Sequence, residues 1–280
     1  MILKEALGLY MQAPEWLRLS ARTKTIYSHG IVTLEPLWSF KMKRLDRPTL
    51  IGFRDELWNS SGRCHIAFNV LRATIRFCLD RGYMNDNPAY GIPMPRSTPI
   101  ARWSDEELNK AIETAPDYLR SALLLALYTG QRLSDLTRIQ WVQYDGKIIH
   151  LKQRKTGKEL FIPVHPTLKA DLDERRAVAE TATRPKPFLI WNHSGDPFTT
   201  AGLSGAVHRH LNKIGIKGRS FHGIRKATAS ILAELGCTPF EIMAITGHSS
   251  LREVQRYTLQ ASQLRLAKEA MRRWSDETRI

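Results

Sequence analysis

The sequence predicts a mainly α-helical protein with one small antiparallel sheet, an α+β architecture in two domains. Through the first hundred residues, apolar side chains recur at the three- and four-residue spacing of amphipathic helices. A proline-rich stretch without periodicity, residues 85–99, then interrupts this pattern. Beyond it, a run of strand character with two turn signals lies between further helices. We therefore predict a helical domain over residues 1–88, a linker over 89–102 and a mixed domain over 103–280.

Caps and one strongly amphipathic run mark the helices of the first domain. Ser20 is placed to cap a helix that Pro36 kinks or ends, and Thr49 is placed to cap the next. Residues 63–81 give the clearest helix, and its apolar face carries Ala67, Leu71, Ile75 and Cys78. Cys78 is therefore expected to be a small core residue.

The second domain opens with two helices whose ends are visible in the sequence. Ser104 and Glu107 form the pattern of a capping box. A strongly apolar helix follows at 117–128 and ends near Gly130. These signals place the start of the mixed domain directly after the linker.

The segment from Trp141 to Pro166 changes to strand character. Asp145-Gly146 and Thr156-Gly157 are hairpin turn signals between alternating or apolar runs. We expect a three-stranded antiparallel sheet there.

Helices resume in the last third of the chain. Thr238 is followed by a proline and, three residues on, by Glu241, which combines an N-cap, a proline in the first turn and a capping box. Ser250 starts the next helix, which carries Tyr257. A final helix over 262–274 places Leu264, Ala267, Met271 and Trp274 on one face. We expect that face to pack on its own domain.

The chain is strongly basic. Its 280 residues contain 42 Lys and Arg against 27 Asp and Glu, a net charge of +15. This excess is spread along the chain and favours a polyanionic partner, with nucleic acid first; a membrane surface or a merely solubilising charge is the alternative. The polar faces of helix 63–81 carry Arg63, Asn69, Arg72 and Arg76. In a basic chain these residues together suit a helix that binds DNA.

Cysteine usage and the N-terminus indicate an intracellular protein. Cys64, Cys78 and Cys237 are odd in number and far apart, and no CxxC unit suggests a zinc site. The N-terminus has no apolar core long enough for a signal peptide, and no stretch approaches the length of a membrane span. We expect a cytoplasmic protein with no metal and no membrane partner.

Four short segments carry residues suited to cleavage of a phosphodiester by a side-chain hydroxyl. That reaction needs donors for the charge on the non-bridging oxygens, an acid for the leaving oxygen and an unhindered nucleophile. The segments are TGQRLSDL at 129–136, QRKTGK at 153–158, HGIR at 222–225 and TGHSS at 246–250, the last followed by Tyr257.

Geometry alone suggests some of the parts these segments could play. Arg132 lies in a turn between two helices, where Asp135 could hold its guanidinium, and Lys155 lies beside a hairpin turn. His222 and Arg225 are three residues apart and so share one helix face. Each residue by itself has an ordinary explanation in surface polarity or packing. The order and separation of all four segments favour a shared site.

This pattern resembles the tyrosine recombinase, or phage integrase, family over about residues 15–275. The resemblance implies a helical core-binding domain joined to a catalytic domain. It also implies that Arg132 and Arg225 clamp the scissile phosphate and that Lys155 protonates the leaving 5′ oxygen. Many members have an acidic residue where this chain has Gly223, at a position on which the chemistry does not depend.

The same resemblance assigns the remaining roles. His222 acts in proton transfer or as a phosphate donor, His248 donates another hydrogen bond, and Tyr257 attacks. Asp135 supports the clamp from behind. The implied product is a 3′-phosphotyrosyl link with a free 5′ hydroxyl, formed without ATP, metal or another cofactor.

Partners follow from the resemblance as well. We expect double-stranded DNA, a monomer when free and a homotetramer in synapsis; an accessory DNA-bending protein is left open. A tail like that at 262–274 often docks on the neighbouring protomer in this family. The chain has no room for the N-terminal arm-binding domain of many temperate-phage integrases, so it either works on simple sites or is a fragment.

Three alternatives stay open at this point. Type IB topoisomerases use the same nucleophile and clamp. A non-catalytic regulator would explain the charge and the helix-turn-helix pattern at 238–262, but it leaves the four segments to chance. A relative that keeps the fold without strand cleavage is the third. Integration, excision, transposition and dimer resolution are not distinguished.

Overall fold

A computed structural model describes residues 1–96, 100–260 and 263–276. The chain divides into two compact units, Met1–Pro99 and Ile100–Ile280. Each unit has its own hydrophobic core. Residues 97–99 of the predicted linker and the last four residues of the predicted second domain lie outside the described residues.

The first unit is helical throughout its regular structure. Its α-helices are α1 (Leu3–Gln12), α2 (Pro14–Leu17), α3 (Ala21–Thr33), α4 (Arg47–Glu56) and α5 (Ser61–Asp80). The apolar face predicted on α5 is confirmed, since Ala67, Leu71, Ile75 and Cys78 are all completely buried. Burial of a large aliphatic side chain contributes about 1.5–3 kcal/mol, so Leu71 and Ile75 on this face stabilise the packing of α5.

The helix starts in this unit agree with the sequence at one position and differ at another. Ser20 caps α3 by accepting a hydrogen bond from the amide of Thr23. We expected Thr49 to cap α4, but it does not. Asp46 is the cap, and its carboxylate accepts the Thr49 amide at 2.9 Å. Two candidate caps three residues apart compete, and the one whose side chain reaches a free amide in the first turn prevails.

The proline-rich segment that follows α5 packs on the first unit along residues 89–95, which we expected to be linker. Ala89 is fully buried, and long side chains of α4 and α5 hold backbone carbonyls of the segment. Arg54 donates to the carbonyl of Pro93 at 3.1 Å, and His65 Nε2 donates to that of Pro95 at 2.8 Å. Carbonyls in an irregular segment have no ladder partner, so side chains satisfy them instead.

The second unit is mixed, with one sheet among helices. Its elements are α6 (Asp105–Glu113), α7 (Asp117–Thr129), α8 (Leu133–Leu136), β1 (Ile148–Lys152), β2 (Glu159–Pro163), α9 (Pro166–Thr181), α10 (Thr200–Lys213), α11 (Phe221–Glu234), α12 (Pro239–Thr246), α13 (Leu251–Gln260) and α14 (Gln263–Asp276). The predicted capping boxes at Ser104 and Thr238 are both present.

The sheet has two strands in the described part of the chain, so the prediction of three strands is wrong. β1 and β2 pair antiparallel around the turn that contains Gly157. The segment before Asp145 forms a 3-10 turn, Trp141–Gln143, and contributes only an isolated bridge from Tyr144 to Ile149. The Asp145 carboxylate accepts the amides of two following residues at 2.8 and 2.7 Å, which closes a compact turn before β1.

Two glycines end helices within the segments 129–136 and 246–250 and permit close approach of the backbone. Gly130 ends α7 and Gly247 ends α12, both in the left-handed conformation with φ of +60° and +70°. A Cβ atom at Gly130 would lie 2.9 Å from Thr246, and one at Gly247 would lie 2.4 Å from the amide nitrogen of Gln153. A side chain at position 130 would push the Arg132 loop away from the end of α12, and one at position 247 would displace Gln153.

The last helix, α14, does not pack as we expected where its side chains are described. Met271 is 60% exposed and Trp274 is 63% exposed, whereas the Leu264 side chain lies outside the described part. None of the described helices combines the length and the apolar character needed to cross a membrane.

Candidate active site

Arg225 is buried at the centre of the candidate site and is only 2% exposed. Its Nη1 donates to the carbonyl of Gly130 at 2.7 Å and also to that of Thr246. Its Nη2 has no hydrogen-bond partner among the described residues. Burial, followed by repulsion from Arg132, lowers the pKa of Arg225 to about 10. An arginine held by carbonyls and still short of an acceptor is suited to bind an anion.

Arg132 lies at the start of α8 and is half-buried. Its Nη1 donates to Gln153 Oε1 at 2.9 Å. The expectation that Asp135 holds this guanidinium is wrong, because the Asp135 carboxylate instead accepts the backbone amide of Arg154 at 3.0 Å. Asp135 therefore fixes the strand end that leads into the hairpin, and a neutral amide holds Arg132.

Lys155 lies exposed in the turn between β1 and β2. The base of that turn is closed by two backbone hydrogen bonds of 2.8 Å, from Gln153 to Lys158 and from Gly157 to Gln153. Within the described residues, no hydrogen bond or ion pair joins Lys155 to the other candidate catalytic residues. The structure thus places Lys155 on a well-formed hairpin next to Arg132's partner, but outside the buried cluster.

His248 is buried directly after the end of α12. The Thr246 hydroxyl lies 2.6 Å from the carbonyl of Ile242 and 2.6 Å from His248 Nδ1. Because the hydroxyl has one proton and a carbonyl can only accept, Nδ1 of His248 must be the donor to Thr246. The neutral ring then offers Nε2 as an acceptor. Burial and the nearby charges of Arg225 and Arg132 lower the pKa of His248 to about 3.

Tyr257 lies on α13 beside His248, with the two ring centroids 6.1 Å apart. The phenol is half-buried and packs against a small apolar cluster formed by Ala229, Ala233, Ile242 and Val254. Burial raises the pKa of Tyr257, and the charge of Arg225 acts in the opposite direction. The environment of the Tyr257 ring is therefore not purely hydrophobic, because it includes His248 and the charge of Arg225.

His222 is largely exposed at the start of α11, one turn before Arg225. Partial desolvation, and then the charges of Lys226, Arg225 and Arg132, lower the pKa of His222. Its ring also senses the carboxylate of Glu253 on α13. His222 is thus at the open side of the same electrostatic cluster.

Five of the six candidate catalytic residues come together in the second unit. Four of them lie close enough to Arg225 for their charges to interact with its guanidinium, namely Arg132, His222, His248 and Tyr257. No described ion pair links either arginine to a carboxylate, so the cluster keeps its positive charge. Such a site can bind a phosphate, stabilise added charge on it and accept a proton. Among the described residues, no set of His, Cys, Asp or Glu side chains is placed to hold a metal ion.

The sequence-based search missed two glutamines and a threonine. Gln153 is fully buried and Gln131 is 1% exposed, and their side chains hydrogen-bond to each other at 2.6 Å. Thr246 orients His248. All three lie inside the segments already singled out, but a buried amide and a buried hydroxyl carry no local pattern that distinguishes them from surface residues.

The four polar residues predicted to face DNA do not share one face of α5. At ~100° per residue, Asn69, Arg72 and Arg76 fall within roughly 60° of one another, whereas Arg63 lies far from that arc. Arg76 and Asn69 are exposed, and Arg76 pairs with the aspartate four residues later at 2.9 Å. Arg72 is half-buried, with one nitrogen donating to the backbone carbonyl of Ile92 at 3.3 Å. Of the four, only Asn69 and Arg76 are therefore exposed on a common face.

Comparisons with known proteins agree with this arrangement. The integrase of Enterobacteria phage P21 is 26% identical over 191 residues, which cover 61% of this chain and 49% of that protein. A lambda integrase dimer bound to a core site has the same fold, with a TM-score of 0.81, 20% identity and coverage of 92% and 95% of the two chains. The Tn1549 transposon integrase in complex with circular intermediate DNA gives a TM-score of 0.81 at 16% identity, with coverage of 96% and 99%.

The match to a family rests on the second unit. This chain spans about half the length of the phage integrases it matches, at 49% and 43% of the proteins from phages P21 and HK022. The sequence profile of the phage integrase family matches residues 104–263, which include all six candidate catalytic residues. The chain therefore belongs to the phage integrase family.

Proposed function

We propose that this chain is a site-specific tyrosine recombinase that cuts and rejoins DNA to integrate or excise a phage or other mobile element. One observation carries the proposal: the charges of two arginines, neither with a carboxylate ion-pair partner among the described residues, act on His248, and the ring of His248 lies 6.1 Å from that of Tyr257. Membership of the phage integrase family supports the same function. Because the proposed substrate is intracellular DNA, the protein acts in the cytoplasm.

The reaction begins with a phosphodiester seated between Arg132 and Arg225. Arg225 Nη2 lacks a partner in the described structure and is free to donate to a non-bridging oxygen. Arg132 keeps its charge, because its described hydrogen-bond acceptor is a neutral amide. Together they stabilise the additional negative charge of the pentacovalent transition state, which is the largest electrostatic demand of the reaction.

Tyr257 then attacks the phosphorus. Its phenolic oxygen forms the new O–P bond while the bond from phosphorus to the 5′ oxygen breaks. The phenolic proton passes to His222, whose ring is neutral because partial desolvation and the charges of Lys226, Arg225 and Arg132 lower its pKa. The buried ring of His248, with a pKa of about 3, is too weak a base for this role. The negative charge of the bound phosphate favours protonation of His248, and its Nε2 then donates to a non-bridging oxygen.

Lys155 protonates the departing 5′ oxygen. An alkoxide is a poor leaving group, so a positioned acid accelerates its departure by about 10²–10⁴-fold. The exposed hairpin turn would bring the ammonium group to the DNA as the duplex binds. Attack by a 5′ hydroxyl of another strand on the phosphotyrosine reverses the sequence, so the reaction needs neither ATP nor a cofactor.

The first unit and α14 have supporting roles in this proposal. The first unit binds the duplex next to the cleavage site, with Asn69 and Arg76 on the exposed face of α5. Four copies assemble in synapsis from monomers, and the exposed Met271 and Trp274 contact a neighbouring copy. An accessory DNA-bending protein would be needed only if the duplex itself must be deformed.

The experiment uses a nicked duplex that carries a site selected by this chain from a random-sequence library. The nick lets the short 5′-hydroxyl fragment diffuse away, so the covalent intermediate accumulates. We expect an adduct that resists denaturation, in buffer with EDTA and without ATP. The Tyr257→Phe variant should bind the duplex with unchanged affinity and form no adduct. An adduct in that variant would mean that Tyr257 is not the nucleophile. Relaxation of supercoiled plasmids without joining of two sites would favour a topoisomerase.

A further inference from the structure

Two glutamines form a buried amide pair beneath the candidate active site. Gln153 is fully buried and Gln131 is 1% exposed. Buried side-chain amides are costly unless they are hydrogen-bonded. The number and identity of their partners therefore indicate what the pair holds in place.

Every hydrogen-bonding position of the Gln153 amide is used. Its Nε2 donates to Gln131 Oε1 at 2.6 Å and to the carbonyl of Thr246 at 3.0 Å. Its Oε1 accepts Arg132 Nη1 and the hydroxyl of Thr156, both at 2.9 Å. A primary amide has two donor and two acceptor positions, so its capacity is filled. The orientation of the amide is also fixed, because an arginine only donates and a carbonyl only accepts.

These bonds join three of the segments that carry candidate catalytic residues. Gln153 reaches the Arg132 loop, closes its own hairpin turn through Thr156, and holds the end of α12 just before His248. Gln131 extends the link by donating to the carbonyls of Thr129 and Ile245 at 2.8 and 2.9 Å.

The same carbonyl links this amide to the second arginine. Both Gln153 Nε2 and Arg225 Nη1 donate to the carbonyl of Thr246. The approach is possible because the next residue is Gly247, where a Cβ atom would lie 2.4 Å from Gln153 Nε2. The side chain of Gln153 therefore contacts Arg132 directly and is linked to Arg225 through the shared carbonyl oxygen of Thr246.

We propose that Gln153 is a positioning residue for strand cleavage, which orients Arg132 and the base of the Lys155 hairpin relative to each other. The inference rests on the proposed recombinase function. A neutral amide suits this task, because it aims the guanidinium without neutralising it. A carboxylate at 153 would form an ion pair with Arg132 and would face the oxygens of Gln131 and Thr246, which need a donor.

The first test compares Gln153→Met with a matched control, Gln143→Met. Methionine has a similar length and removes all hydrogen bonds of the amide. Gln143 also binds the hairpin, donating to the carbonyl of His150 at 3.0 Å, but it touches none of the candidate catalytic residues. The measurements are the single-turnover rate of adduct formation on the nicked duplex and the Kd for that duplex.

We expect Gln153→Met to slow adduct formation by roughly 10- to 100-fold, because misplacing a charge stabiliser by about 1 Å can cost 100-fold. Its Kd should stay within about threefold of wild type, and Gln143→Met should retain a rate near wild type. An unchanged rate in Gln153→Met would overturn the proposal, as would an equal loss in the control. If Gln153→Met does not fold, Gln131→Met removes the neighbouring half of the pair and should slow cleavage in the same direction.

A second measurement reports on Arg132 without any DNA. In protein carrying ¹⁵N-labelled arginine, the Arg132 guanidinium signals are assigned by their loss in Arg132→Lys. We expect restricted rotation of this guanidinium in wild type and in Gln143→Met, and averaged signals in Gln153→Met. Restricted rotation that survives in Gln153→Met would show that the amide does not hold Arg132. If wild type forms no adduct on any duplex, the recombinase proposal fails, and the positioning of Arg132 is still decided by these spectra.

Discussion

The buried and exposed halves of the candidate active site are built in different ways. Arg225 and His248 are buried, each held by hydrogen bonds to the ends of neighbouring helices. Lys155 lies exposed on a hairpin turn. Arg225 and His248 are thus built into the packed interior of the second unit, whereas the proposed acid is presented from the surface. Substitutions in the first half should therefore affect stability and cleavage together, and substitutions in the second half should affect cleavage alone.

The largest effect is expected for Arg225→Lys. Lysine cannot bind the carbonyls of Gly130 and Thr246 and also reach a phosphate, so cleavage should fall by roughly 1,000-fold. The buried carbonyl of Gly130, left without this donor, should also cost about 1–3 kcal/mol of unfolding free energy, whereas the carbonyl of Thr246 still accepts from Gln153. Arg132→Lys serves as the comparison, with roughly 100- to 1,000-fold slower cleavage and little change in stability. Adduct kinetics and urea unfolding measure both quantities. Equal stability loss in the two variants would show that burial of Arg225 makes no difference to how the two arginines contribute to stability.

A smaller effect is expected for Lys155→Met, with about 100-fold slower cleavage and unchanged unfolding free energy. If Lys155 is the acid, a duplex with sulfur in place of the bridging 5′ oxygen should restore the rate, because a thiolate leaves without a proton. The same duplex should not rescue Arg132→Lys, whose defect is in charge stabilisation. Failure of sulfur to rescue Lys155→Met would assign the acid to another residue.

The smallest effect is a pH dependence of stability that His248 contributes. The pKa of its buried ring is about 3 in the folded state, against an ordinary value of 6.5. The unfolded chain therefore binds the proton more tightly, and the stability contributed by the neutral ring is complete above pH 6.5 and is lost as the pH falls towards 3. The slope is about 1.4 kcal/mol per pH unit within that window.

The measurement compares urea unfolding of wild type and His248→Asn between pH 7 and pH 5. Over this interval the free energy of unfolding of His248→Asn should fall by about 2 kcal/mol less than that of wild type. The free energy of unfolding of the exposed control, His29→Asn, should change as that of wild type does. Parallel curves for wild type and His248→Asn would show that the ring is not buried in its neutral form.

The sequence predicts those parts of this molecule that depend on local pattern. The caps at Ser20, Ser104 and Thr238 are confirmed because an N-cap needs only its own first turn. The third strand was wrong because Asp145 forms a tight turn whose hydrogen bonds compete with a ladder.

Long-range contacts were harder to predict than elements. Asp135 was expected to hold Arg132, which lies three residues earlier, but its carboxylate accepts the backbone amide of Arg154, 19 residues later. Gln153 became visible only in three dimensions, because its partners Gln131 and Thr246 lie 22 and 93 residues away in the chain. The order of the motifs thus predicted the candidate site, but the groups that hold it together have no motif.

The proposed function depends on covalent attachment of Tyr257 to the 3′ phosphate of a cut strand. The decisive experiment digests the trapped adduct with protease and nuclease and locates the nucleotide by mass spectrometry. We predict a 3′-nucleotide attached to the peptide that contains Tyr257, with a free 5′ hydroxyl on the released strand. A nucleotide on any other residue, or a phosphate on the released 5′ end, would contradict the proposed role of Tyr257.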